Sequence, residues 1–142
     1  MSLSYSGTGV VEERVRAQLA RIKDNFRSAV EEAKDGIRTR TQTGVDIESN
    51  TFRKYSKSWA RKRQAAGKGI DRVDLTFSGA MFNSLSVRFE EQTYVLSATI
   101  FFKSPEQAQK AKWNQVDHKR PFFGLSAEQR KLILAKVKLR SR

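Results

Sequence analysis

The chain has one histidine, His118, and Asp117 stands beside it. A His–Asp pair suggests general-base chemistry, in which an imidazole takes a proton from a nucleophile. The sequence supplies no clear nucleophile. Ser78-Gly79 lacks the Gly-x-Ser-x-Gly pattern of a nucleophile elbow. There is no Walker loop and no zinc-ligand spacing, and Gly-Thr-Gly at 7–9 is too short to cradle a phosphate. Acidic residues come as adjacent pairs, Glu12/Glu13, Glu31/Glu32 and Glu90/Glu91. Neighbours on a helix or strand point in different directions, so such pairs are poor metal sites. Cysteine is absent, which excludes thiol catalysis, disulfides and Cys-ligated zinc. His118 therefore reads as a loop residue. The chain reads as a non-enzyme with no catalytic, cofactor or metal site.

The charge is more informative. The chain carries 28 Lys+Arg against 15 Asp+Glu, a net +13. Such a surplus speaks of partners and solubility, not of fold, and points to nucleic acid, an acidic membrane surface or an acidic protein ring. The surplus lies in two places. Residues 52–72 hold Arg53, Lys54, Lys57, Arg61, Lys62, Arg63, Lys68 and Arg72 against Asp71 alone. Residues 130–142 hold six cations and no acid. Within the first segment Arg53, Lys54, Lys57, Arg61, Lys62 and Arg63 are candidate contacts to DNA or to a partner ring. "FRKYSKSWARKR" mixes aromatics with cations, as single-strand binders do. Phe52, Tyr55 and Trp59 also recur at helical steps, which favours a core role for them.

These residues need a scaffold, and 142 residues suffice for one domain spanning 1–142. No apolar run approaches the ~20 residues of a membrane span, and "MSLSYSGTGVVEERV" does not resemble a signal peptide. Residues 1–9 are expected to be flexible. Residues 10–37 repeat Val11, Val15, Leu19, Ile22, Phe26, Ala29, Ala33 and Ile37 at steps of three and four, which predicts one long helix. Glu12 and Glu13 are expected in its first turn. At about 40 Å it must cross the domain or project from it. The remaining core, 44–139, begins with a short helix capped by Ser56. A second short helix is expected over 79–85, capped by Ser78. Alternation over 85–102 predicts a β-hairpin whose second strand, apolar on both faces at its end, is expected to be central or covered. Ser104-Pro105-Glu106-Gln107 and Ser126-Ala127-Glu128-Gln129 each read as capping boxes opening a helix. The fold class is α+β: long N-terminal helix, small antiparallel sheet, flanking helices and a C-terminal helix.

Three short motifs occur in order. Phe52-x-x-Tyr55-Ser56 is followed by Leu75-x-x-Ser78-Gly79-x-Met81-x-x-Ser84-Leu85, and then by Arg120-Pro121-Phe122-x-Gly124-Leu125-Ser126. In order and spacing they resemble the virion-morphogenesis family of tailed phages, the tail-completion and head–tail joining proteins, Mu-like ones included. The resemblance covers roughly residues 44–135. Relatives often place a His-Gln-x-Gly type turn before the third motif, where this chain has "WNQVDHKRPFFG".

The resemblance implies a structural role without catalysis or cofactor. It implies a homo-oligomeric ring, expected to be hexameric, in the virion neck and assembled in the host bacterial cytoplasm. Neighbours would be neck, portal or tail-tube proteins and the genomic DNA in the channel, with no membrane contact. In the third motif, Phe122 and Phe123 are expected to anchor the chain. Gly124 is expected to permit a tight turn, and Ser126 to cap the last helix, making a latch. Two other classes compete. One is a monomeric or dimeric basic nucleic-acid-binding module, and the other is a small hydrolase using His118.

Overall fold

The computed structural model describes residues 7–76, 79–92 and 95–138, with side chains from residue 12 onward. Helix α1 spans Gly7–Gln42, beyond the expected 10–37 at both ends. At 1.5 Å per residue it is about 54 Å long. Its C-terminal extension holds because Ile37 and Thr41 stay on the buried face, and the Thr41 hydroxyl donates back to the Ile37 carbonyl. Because the helix starts at Gly7, Glu12 and Glu13 miss the first turn, which holds no acid.

Ala29, Val30, Ala33 and Ile37 bury the second half of α1. Every residue from 12 to 21 is exposed. The helix thus has a packed half and a projecting half.

After a turn at 43–51, helix α2 (Lys57–Ala65) starts at Ser56, whose side chain accepts from the Trp59 N–H. Helix α3 is shorter than expected, Ala80–Asn83, and Leu85 belongs to the following strand. Ser78, the expected cap, lies outside the described residues. Gly79 holds the cap position at φ 82, a left-handed conformation that suits glycine. Strands β1 (Leu85–Gln92) and β2 (Val95–Phe102) pair antiparallel, with Leu85 opposite Phe102, Val87 opposite Ile100 and Phe89 opposite Ala98. This is the face predicted by alternation, and it packs on α1, where Phe26 meets Phe89 edge-to-face. Among the described residues the sheet has only these two strands. β2 is therefore not central. On its outer face Phe101 is covered by the Arg88 guanidinium, 5.6 Å from the ring centroid, in place of another strand.

Helix α4 (Pro105–Lys112) opens with Ser104 accepting from the Gln107 N–H and runs into a π-helical turn, Trp113–Asp117. Helix α5 (Ala127–Val137) opens with a complete Ser126/Gln129 capping box. One cluster joins these parts: Ile37, Phe52, Val73, Met81, Phe82, Leu85, Ala111 and Phe122.

Candidate functional site

The geometry is organised by Tyr55. Two guanidiniums lie over its ring and clamp it, Arg63 at 4.7 Å and Arg120 at 5.2 Å from the centroid. Arg63 is 2% exposed. It donates to the carbonyls of Gly69 and Thr76 and pairs with Asp74 at 3.3 Å. Arg63 was expected to reach a partner. The structure corrects this, because its donors are consumed in closing the 67–76 loop onto α2. Arg120 donates to the carbonyls of Arg53 and Lys54 and to Asn114 Oδ1. Burial pulls its pKa below the ordinary arginine value, with Tyr55 opposing and Arg53 reinforcing that shift. The Tyr55 hydroxyl accepts from the Leu75 N–H. This contact helps hold Leu75 at φ 54, a conformation bulky residues avoid. Burial also raises the Tyr55 phenol pKa, against the lowering pull of nearby Arg63.

The clamp forms one side of a cleft of about 1050 Å³ between α2, α3, α4 and the π-helical turn. Its apolar lining comes from Tyr55, Trp59, Leu75, Met81, Phe82 and Trp113. Its cationic lining comes from Arg53, Lys54, Lys57, Lys62 and Lys110, besides the two clamped arginines. No acidic residue lines it among the described residues. Lys62 sits over the Trp59 ring at 5.6 Å, and Lys110 pairs with Glu106. Trp59 is half-buried, short of the full core role its spacing favoured, and Trp113 is 49% exposed. Of the six expected cationic contacts, the structure brings Arg53, Lys54, Lys57 and Lys62 to the cleft. Arg61 is exposed outside its lining, and Arg63 lies within it but buried in the clamp. His118 lies exposed on the cleft wall, along with Ser56, whose hydroxyl is used in capping α2. Among the described residues no group of acids and histidines could hold a metal ion.

The third motif behaves as a latch. Phe122 is 0% exposed and meets Phe82 edge-to-face and Phe102 obliquely. Gln115 was not singled out by the sequence, yet its side-chain oxygen accepts both the Phe122 and Phe123 N–H groups at 3.0 Å. Arg40 was likewise missed. It donates to the carbonyls of Phe122 and Gly124 and to Gln129 Oε1, and burial lowers its pKa against the opposing pull of Asp46. Gly124 is not in a left-handed conformation. Its role is close approach, since a Cβ there would lie 2.8 Å from Ile47 Cδ1. The remaining motif residues are structural as well. Ser84 is buried and its hydroxyl accepts the Ser104 N–H, while the Pro121 carbonyl accepts the Ile47 N–H. Leu125 packs against the core cluster.

No protein-family model, curated protein or solved structure matches the chain. Among the described residues no helix is long and apolar enough to cross a membrane.

Proposed function

We propose that this chain is a non-enzymatic structural protein of a tailed-phage neck, a tail-completion or tail-terminator subunit acting in a homo-oligomeric ring. The observation that carries the reading is the convergence of the three family-like motifs. Phe52, Met81, Leu85 and Phe122 enter one cluster, and Tyr55, Leu75 and Arg120 meet in one clamp. Motifs that resemble the family in order thus also interlock in space.

The surface supports assembly. A closed ring of identical subunits needs two different patches that meet head to tail. The projecting half of α1 exposes Val15 and Leu19, at 47% and 50%. On α5, Leu132 and Leu134 are exposed at 69% and 71%, and two residues apart they lie on different sides of that helix. Lys136 pairs with Glu32, which sets α5 roughly 20 Å along α1 from Leu19. The exposed leucines of α5 therefore lie apart from the Val15/Leu19 stripe, and either could meet it from a neighbouring subunit. The exposed cations of α2 would face DNA in the channel or an acidic adjoining ring.

The test is assembly with and without the α1 stripe. Light scattering after size exclusion should give a ring-sized particle that survives high salt. A Val15→Glu/Leu19→Glu variant should dissociate while keeping the helical content of the folded chain, measured by circular dichroism. An unmodified chain that is monomeric at low and high salt contradicts the reading.

A further inference from the structure

We propose that the cleft between α2 and the Trp113–Asp117 turn binds single-stranded nucleic acid, with a base stacked on Trp113 and phosphates held by the lysine rim. The inference stands on the cleft alone and does not require the neck reading. The chain has two tryptophans, and both Trp59 and Trp113 line this cleft. Stacking on an aromatic face is open to any base, so such a site grips a strand without reading its sequence.

The charge points the same way. Arg63 and Arg120 are spent in the Tyr55 clamp, and Lys110 is paired with Glu106. Arg53, Lys54, Lys57 and Lys62 are exposed and form no ion pair among the described residues. Four like charges around an apolar floor repel one another, and a polyanion relieves that repulsion. Duplex DNA offers the charge but keeps its base faces inside the stack. An acidic peptide would match the charge, but among the described residues no strand edge lines the cleft on which a peptide could add as an extra strand.

The test titrates the full chain with a short oligothymidylate and follows intrinsic tryptophan fluorescence, which reports on this cleft alone. Quenching should be saturable. With four phosphate contacts, log Kobs should fall against log salt with a slope of about −2.8, so a fourfold rise in salt costs roughly fiftyfold in affinity. Lys57→Gln or Lys62→Gln should each reduce the slope by about 0.7. Arg61→Gln, on the same helix but outside the cleft, should leave it unchanged. Trp113→Ala should weaken binding roughly tenfold with the slope unchanged. Three results would overturn the proposal. These are absent quenching, equal quenching by a duplex of the same length or by polyglutamate, and an Arg61→Gln effect as large as that of Lys62→Gln.

Discussion

The two basic segments carry nearly equal charge and are put to different uses. In residues 52–72 the cations divide, with Arg63 turned inward to clamp Tyr55 while Arg53, Lys54, Lys57 and Lys62 rim a cleft. In α5 the cations stay outside, Lys136 pairing with Glu32 across to α1. That helix docks instead through Gln129, which donates to the Ala33 carbonyl and accepts from Arg40. The lesson is that a count of charges in sequence does not give the charge at a surface. An arginine such as Arg63, each of whose three nitrogens meets a carbonyl or carboxylate, is part of the core.

The contrast can be broken by substitution. Phe122→Ala should be the most damaging change, lowering stability by about 3–5 kcal/mol, because a fully buried aromatic is deleted where the latch meets the core. Thermal or urea unfolding measures it. Arg63→Ala should cost about 3 kcal/mol in the same assay, because it strands the Gly69 and Thr76 carbonyls and unpairs Asp74. Gly124→Ala should cost about 1–2 kcal/mol, since its Cβ forces Ile47 to move. Lys136→Gln should cost under about 0.5 kcal/mol, as expected for a solvent-screened pair. If Lys136→Gln matched Arg63→Ala, the division between inner and outer cations would fail.

A pH experiment sharpens the same point. Burial raises the Tyr55 pKa in the folded chain, so folding favours the neutral phenol. That contribution is fully present below the unfolded tyrosine value of about 10 and is lost as pH climbs through the raised folded value. Tyr55→Phe should flatten this part of the alkaline stability profile. An unchanged profile would place the titration elsewhere.

Much of the scaffold was legible because its signals are local. Ser56, Ser104 and Ser126 cap their helices within three residues, and the hairpin face follows from alternation. The site was less legible, for a physical reason. Its walls come from three stretches, residues 53–63, Leu75 with 79–82, and 107–120, and nothing in any one of them announces the others. Arg63 did leave a trace. It continues the Phe52, Tyr55, Trp59 series at helical steps, on the apolar side where a surface cation does not belong. Gln115 and Arg40 left none, since their role is to satisfy the backbone of a distant loop.

The central claim is that the projecting half of α1 exists to meet another copy of the chain. The most direct test is the native mass of the purified protein at low and high salt, beside its Val15→Glu/Leu19→Glu variant. A ring-sized mass that persists in high salt and collapses in the variant is the predicted result. A mass that is monomeric throughout, and identical in the variant, would contradict the account.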